Sequence, residues 1–260
     1  MSRYSQEQEE RFRQQAQAQH AAYLLQLQKS REIYHQRQVL ESLNVTNNQQ
    51  NFPYQSTQTP GGNPDSGAAP SCINGWMTTN FDGTTFRNGD PIPQATNSSQ
   101  WIAQINNESP AWCYYNFDSN NGPIYGKLYN YFVVEQAATK GLGSVGYYVP
   151  SESDWTDLEN CLGGNGIAGG KLKTIGTTDD EGLWLPPNSG ATNEIGFSGL
   201  PSGYMSDGGV PGNLSSRGSF WTTTLGGGSP MVMNLNYGRT DVYHGPDSKG
   251  KGYSIRLKHQ

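Results

Sequence analysis

The residues best suited to bind a ligand lie close together near the C-terminal end of the sequence. There, aromatic rings are interleaved with amide, guanidinium, carboxylate and imidazole groups. The candidate ligand-binding residues are Asn234, Asn236, Tyr237, Arg239, Asp241, Tyr243 and His244. Tyrosine gives a large contact area at a small entropy cost, its flat ring suits a sugar face, and amide or guanidinium groups orient a ligand by hydrogen bonds. The segment therefore predicts a ligand-binding surface; the alternative is that Tyr237 and Tyr243 only pack a strand against the core.

Two acidic turns offer oxygen atoms to a cation. Asp118, Asn120 and Asn121 precede Gly122 in a turn that resembles a calcium loop, although an ordinary Asx-turn explains the same residues. The adjacent carboxylates of residues 179–181 would repel one another unless they were solvated or bound to a cation. For both turns we favour the interpretation without a cation, so the sequence predicts no bound metal and no cofactor.

The sequence lacks the residue patterns of common catalytic sites. Of the four histidines, only His244 lies near polar partners, Asp241 and Tyr243, within a segment that could form a site. No serine or cysteine motif accompanies it, and the glycine-rich stretches do not follow a phosphate-binding pattern. We therefore expect a protein that is not an enzyme.

The cysteines give a weak signal. The three residues Cys72, Cys113 and Cys161 form no CxxC pair. An odd number without close spacing indicates neither a disulfide framework nor a zinc site. We expect three reduced, mostly buried thiols, with a single disulfide among them as the alternative.

Composition and charge exclude several classes of protein. The 260 residues carry a formal net charge of −5 and the isoelectric point is near 5.3, whereas nucleic-acid binders usually present a basic face. No window approaches the roughly 18 consecutive apolar residues of a membrane-spanning helix. The first residues lack the basic-then-apolar pattern of a secretory signal, so we expect a soluble protein that is not exported by a conventional leader.

Residues 1–45 have the composition of a helix. They contain no Gly or Pro and are rich in Gln, Glu, Arg, Ala and Leu. The apolar side chains that recur at helical spacing are Phe12, Tyr23, Leu24, Leu27, Ile33, Tyr34 and Leu40. A helix with so little apolar surface must bury it against another surface. We expect a helical anchor that packs in a self-associated bundle or on a partner protein; folding back on its own domain is the alternative.

The rest of the chain divides into a linker and a globular domain. Residues 46–71 are polar and rich in Pro and Gly, so we expect a flexible or extended linker. Residues 72–260 hold all six Trp and form the predicted domain.

Local patterns predict a mixture of helices and strands in this domain. Helices are expected at residues 151–162, where Ser151 can cap the N-terminus, and around residues 101–105. Residues 126–139 could form a strand or a buried helix. Short apolar runs predict antiparallel strands at residues 219–223, 231–235 and 253–257, and the Gly-rich and Pro-rich residues 163–213 predict long loops.

A series of short motifs runs across the domain in a fixed order. They are WMTTN at 76–80, YGKLYN at 125–130, YVPS at 148–151 with Asp154, Trp155 and Leu158, AGGKLK at 168–173, ATN at 191–193 with GFSGLP at 196–201 and GY at 203–204, FWTTT at 220–224 and GYSIR at 252–256. This series resembles the Fibrobacter succinogenes major paralogous domain, a family related to the C-type-lectin-like fold. Each piece is weak alone, and their order across residues 72–258 makes the resemblance specific. The first 70 residues have no counterpart in it.

The resemblance implies an α+β fold, a C-type-lectin-like, loop-rich domain in which a small antiparallel sheet supports long loops and the N- and C-terminal strands lie near each other. Members of such a family are mostly surface-displayed or binding modules without an assigned reaction. The sugar–calcium triplets of lectins are absent from this sequence, and so is any cysteine pair that could be carried over from the related formylglycine-generating enzymes.

Anchor, linker and loop-rich domain together suggest a virion structural protein of a bacteriophage: a head fibre, a decoration protein, or a tail or neck fibre. We expect residues 1–45 to dock on a capsid, neck or tail protein, most simply as a homotrimer, and the domain to contact a host surface glycan or protein. The alternative is a bacterial cell-surface or extracellular adhesin.

Overall fold

The computed structural model describes residues 72–260, which belong to one compact unit, Asp65–Gln260. The predicted anchor (residues 1–45) and linker (residues 46–71) lie outside the described residues, and so do the helical stripe residues Phe12 to Leu40.

The described domain combines short helices, short strands and long connecting loops. Its α-helices are α1 (Ser98–Asn106), α2 (Gly122–Tyr125), α3 (Tyr131–Lys140), α4 (Glu152–Cys161) and α5 (Asn165–Leu172). Its strands are β1 (Trp112–Cys113), β2 (Leu128–Tyr129), β3 (Tyr147–Tyr148), β4 (Tyr204–Met205), β5 (Pro211–Gly212), β6 (Arg217–Gly226), β7 (Ser229–Asn236), β8 (Tyr243–Pro246) and β9 (Lys258–His259). A mixed α+β, loop-rich fold with small antiparallel sheets, as predicted, is confirmed.

The largest sheet contains three antiparallel strands in the order β6–β7–β8. Gly227 and Gly228 connect β6 to β7 with φ angles of 61° and 90°, which suit the tight hairpin turns that follow the strand twist. The other sheets each pair two strands: β1 with β2, β3 with β9, and β4 with β5. The long hairpin thus forms the frame on which the surrounding loops are placed.

The beginning and the end of the domain lie against each other. Trp76 forms a β-bridge with Lys258, and the amide of Phe81 donates to the carbonyl of Ile255 at 2.8 Å. The fully buried Arg256 reinforces this contact, because its guanidinium donates to Asn80 Oδ1 and to the carbonyl of Met77. The proximity of the terminal segments, which the family resemblance implied, is therefore observed.

Aromatic side chains fill the core on both sides of the long hairpin. Trp221 packs edge-on against Tyr253, with ring centroids 4.8 Å apart, and its indole N–H donates to the carbonyl of Tyr129 at 2.7 Å. On the other side, Trp155 of α4 lies 5.4 Å from Phe220 between ring centroids. Helix α4 is therefore fixed on the sheet that carries the candidate ligand-binding residues.

The predicted helix at residues 151–162 is confirmed as α4. Ser151 is its N-cap, and a capping box joins the Ser151 side chain to the Asp154 amide and the Asp154 carboxylate to the Ser151 amide. The predicted helix near residues 101–105 is confirmed as α1, with Asn97 as its N-cap. Residues 126–139 contain both alternatives in succession, the two-residue strand β2 followed by helix α3.

Two element predictions need correction. Residues 253–257 form isolated bridges, including Tyr253 to Tyr129 and Ser254 to Phe220, and β8 takes the third place in the main sheet. The predicted loop region 163–213 contains helix α5, with three glycines at positions 166, 169 and 170. Glycine disfavours helices intrinsically, and tertiary packing overrides that preference here.

The expectation of three reduced thiols is wrong. Cys72 and Cys161 form a disulfide across 89 residues of sequence, whereas Cys113 is a buried free thiol. The edge-to-face contact of Trp76 with Trp155, with centroids 4.9 Å apart, brings the start of the domain to α4, and Cys161 is the last residue of that helix. Sequence spacing could not reveal this proximity because it arises from the folded core.

Within residues 72–260, every helix is too short or too polar to cross a membrane.

Candidate functional site

A surface cleft of about 160 Å³ lies beside the β7–β8 connection. Its lining residues are Arg217, Asn234, Asn236, Arg239, Asp241 and Tyr243. Five of the seven residues predicted from sequence are therefore brought together, and Arg217 joins them from β6.

Strand register explains how distant residues meet in this cleft. Arg217 of β6 lies opposite Asn236 of β7, and Asn234 lies opposite Tyr243 of β8. Side chains two positions apart on a strand share a face, so Asn234 and Asn236 point to the same side. Antiparallel pairing then adds one side chain from each neighbouring strand to that face.

The two asparagines have different roles. The Asn234 amide is buried, and its Oδ1 accepts from the Ser219 hydroxyl at 2.7 Å, so it fixes the floor of the cleft. Asn236 Oδ1 accepts from the Gly238 amide at 2.9 Å and shapes the turn that follows β7. Because this hydrogen bond fixes the side-chain amide of Asn236, it also fixes the direction in which its Nδ2 group points.

Arg239 and Asp241 form a bidentate ion pair at the rim of the cleft. Arg239 Nε lies 2.7 Å from Asp241 Oδ1, and Nη2 lies 2.5 Å from Oδ2. This hydrogen bonding lowers the pKa of Asp241 and raises the pKa of Arg239. The Arg239 side chain is nevertheless 61% exposed, so one edge of the guanidinium faces solvent.

The third charged residue, Arg217, is placed differently. It is half-buried, and within residues 72–260 its guanidinium takes part in no ion pair or hydrogen bond. The lining therefore carries two guanidinium groups and one carboxylate, a net positive charge on a protein whose overall charge is −5.

A fully buried lysine supports the loop that connects β7 to β8, residues 237–242, which we call the cleft loop. Lys173 Nζ donates to the carbonyls of Ser189, Asn236 and Arg239 at 3.0, 2.8 and 2.9 Å. Burial lowers the pKa of Lys173 to about 8, and the nearby Asp241 carboxylate opposes that change. A single cation thus organises the carbonyl groups of the segment that carries the candidate residues.

Helix α5 approaches the same segment through its glycines. The Gly170 amide donates to the Thr240 carbonyl at 2.9 Å. A Cβ atom on Gly169 would lie 2.1 Å from the Asp241 carbonyl oxygen, closer than any real contact. Glycine is therefore required at position 169 for the helix and the cleft loop to pack as they do.

The structure shows where the two tyrosines and the histidine of the predicted ligand-binding residues lie relative to the cleft. Tyr243 is 55% exposed at the cleft, so it does not merely pack the core. Tyr237 does pack against the buried cluster around α4 and α5, as the alternative interpretation held. His244 does not line the cleft, because it follows Tyr243 on a strand and therefore points to the opposite face.

His244 instead joins β8 to helix α4. Its Nδ1 lies 3.1 Å from Glu152 Oε1 and its Nε2 lies 2.7 Å from Glu159 Oε1. The hydrogen bond to the buried Glu159 is the largest influence and raises the pKa of His244. Glu159 Oε2 also accepts from Asn165 Nδ2 at 3.0 Å, which extends the contact to α5.

The two acidic turns are closed by their own hydrogen bonds. Asp118 Oδ1 accepts from the Asn120 amide at 2.9 Å, which is an Asx-turn. Asp180 accepts from the amide and the hydroxyl of Thr177, and these bonds lower the pKa of Asp180. In the described part of the chain, no group of three or more His, Cys, Asp or Glu side chains is arranged to hold a metal ion.

Sequence reasoning missed Arg217 and Lys173. Arg217 precedes the predicted strand at residues 219–223, and only the register with Asn236 places it at the cleft. Lys173 ends the motif AGGKLK at 168–173, and no local signal separates it from Lys171 of the same motif, which is partly exposed and pairs with Glu194.

Comparisons with known proteins support one family assignment. The family model of the Fibrobacter succinogenes major domain (Fib_succ_major) matches residues 73–257. No curated protein and no solved structure matches the chain. The matched range contains all the cleft residues and well over half of the sequence. The chain therefore belongs to the Fibrobacter succinogenes major domain family.

Proposed function

We propose that residues 72–260 form a non-enzymatic, C-type-lectin-like binding domain that contacts a cell surface through the β7–β8 cleft. The observation that carries this proposal is the convergence of five ligand-type residues and Arg217 on one surface cleft. An exposed tyrosine, oriented amides and guanidinium groups are typical of binding surfaces that use shape and hydrogen bonds together.

The whole chain is proposed to be a virion structural protein, such as a head fibre, a decoration protein, or a tail or neck fibre. In this proposal residues 1–45 dock on a capsid, neck or tail protein as a homotrimer, and the domain faces a host surface glycan or protein. The sequence supports it through the contrast between a helix-forming segment without Gly or Trp and a domain that holds all six Trp.

A second candidate is a bacterial cell-surface or extracellular adhesin. The Cys72–Cys161 disulfide favours it, because disulfides persist in oxidising compartments and are rare in reducing cytosol. A virion assembled in a reducing cytosol would acquire this bond only after release from the cell.

The two candidates differ in where the protein is found and in what residues 1–45 do. Mass spectrometry of purified virions and of envelope fractions should find the intact chain in virions if the first proposal holds. Deletion of residues 1–45 should then abolish attachment to the particle. Enrichment in the envelope fraction, or particle attachment without residues 1–45, would contradict the virion proposal.

A further inference from the structure

The charge of the cleft suggests what kind of ligand it accepts. Asp241 is already paired with Arg239 through two hydrogen bonds, so its negative charge is compensated. Arg217 has no anionic partner among residues 72–260. A half-buried guanidinium without a counter-charge favours an anionic group on the ligand, and planar carboxylates match its paired N–H donors.

The groups around Arg217 suit a sugar ring. Tyr243 offers a ring that is 55% exposed and can cover the apolar face of a pyranose. Asn236, directly across from Arg217 in the strand register, presents an amide already oriented by its bond to Gly238. Amide and guanidinium donors with an aromatic platform give both the hydrogen bonds and the flat contact that a hydroxylated ring requires.

The size of the cleft limits the ligand. Its volume of about 160 Å³ is well below the roughly 300 Å³ at which pockets for drug-sized molecules begin. One monosaccharide unit of a longer chain fits this description better than an extended oligosaccharide buried along its length.

We propose that the cleft binds an acidic monosaccharide unit, with the sugar carboxylate on Arg217, the ring face on Tyr243 and a hydroxyl on Asn236. This inference rests on the proposed binding function and specifies its ligand class. Uronic acids at the end or in the body of a surface polysaccharide carry this chemistry.

The test compares three sugars on the full chain. Methyl glucuronide, methyl glucoside and glucose 6-phosphate are titrated and followed by ligand-observed NMR. Loss of the carboxylate removes a charge-assisted pair, so we expect the glucuronide to bind at least about tenfold more tightly than the glucoside. Added salt should weaken glucuronide binding and leave glucoside binding nearly unchanged.

Variants of Arg217 test whether this residue causes the preference for the glucuronide over the glucoside. R217Q should remove the preference for the glucuronide, and R217K should retain part of it because the charge remains without the planar fork. K249Q is the matched control, since Lys249 is a surface cation paired with Glu135 and does not line the cleft. K249Q should bind the three sugars as the unmodified chain does.

Equal binding of glucuronide and glucoside, or tighter binding of glucose 6-phosphate, would overturn the acidic-sugar assignment. An unchanged preference in R217Q would show that the carboxylate is bound away from Arg217, which would overturn the assignment of the ligand to this cleft. Absence of binding by all three sugars would also overturn the assignment. The virion and adhesin proposals would then still be decided by the fractionation experiment, because that experiment does not depend on the ligand.

Discussion

At the scale of single residues, a buried cation organises the candidate site. Lys173 is surrounded by carbonyl oxygens and has no carboxylate bonded to it among the described residues. Its ammonium group satisfies three acceptors that belong to two separate loops. Removing the cation would leave buried acceptors without donors, which costs more than an ordinary surface hydrogen bond.

We therefore expect K173M to lower the free energy of unfolding by about 2 to 4 kcal/mol, because three carbonyl groups lose their donor. Denaturant unfolding of the full chain measures this change. K171M is the matched control two positions away, since Lys171 forms a partly exposed pair with Glu194 and should cost less than about 1 kcal/mol. Equal stability of the two variants would show that Lys173 does not hold the loop.

A second residue-scale prediction concerns pH. His244 has a raised pKa because it is held between Glu159 and Glu152. Its contribution to stability should therefore be complete below the unfolded value of about 6.5 and should disappear as pH rises through the higher folded value. Unfolding curves of the unmodified chain and H244Q, compared from about pH 5 to about pH 9, should converge at the alkaline end. A difference that is constant or grows with pH would contradict the geometry around His244.

At the scale of elements, helix α5 and the β7–β8 connection form one unit. The helix carries the glycines that contact the Asp241 and Thr240 carbonyls, and it ends immediately before Lys173. The family motif at residues 168–173 therefore places both the close backbone contact and the buried cation beneath the cleft. The glycines of this motif are therefore accounted for by close packing against the cleft loop, since glycine has a low helix propensity.

G169A should disturb this unit, because the new Cβ would lie 2.1 Å from the Asp241 carbonyl oxygen and backbone must move. We expect a loss of about 1 to 3 kcal/mol in unfolding free energy and several-fold weaker ligand binding. G166A in the same helix has open space around its Cβ and should be neutral or slightly stabilising. If G166A unfolds at a lower temperature than G169A, the close contact has been assigned to the wrong glycine.

The disulfide ties the start of the domain to the end of α4. Reduction should lower the unfolding free energy by about 2 to 5 kcal/mol, because the bond restricts a long segment of the unfolded chain. Denaturant curves with and without reductant measure this effect. A variant with both C72S and C161S should not respond to reductant, and three titratable thiols in the unreduced protein would show that the bond does not form.

The sequence predicted those elements whose signals are local. The cap of α4 involves Ser151 and Asp154, three residues apart, and could be recognised without knowing the fold. Helix α5 was missed because three of its eight residues are glycine, so that its stability comes from packing. Cys72 and Cys161 pair over 89 residues, and no local pattern contains that information.

In the candidate site, too, the residues that are close in sequence could be predicted and those brought in by the fold could not. The segment from Asn234 to Tyr243 was recognisable because its aromatic and polar residues are close in sequence. Arg217 could not be identified, since only the β6–β7 register puts it opposite Asn236. His244 does not line the cleft with its sequence neighbours, because alternation along β8 turns successive side chains to opposite faces.

At the scale of the whole molecule, the proposed function requires that the cleft is the surface through which the domain binds. The most direct measurement is binding of the labelled full chain to an array of purified bacterial envelope polysaccharides. The unmodified chain should bind at least one acidic polysaccharide, and Y243A should bind it at least about tenfold more weakly. V145S, which alters a side chain that is 81% exposed outside the cleft lining, should bind normally. No binding to any polysaccharide, or binding that Y243A leaves unchanged, would contradict recognition of a surface glycan through this cleft.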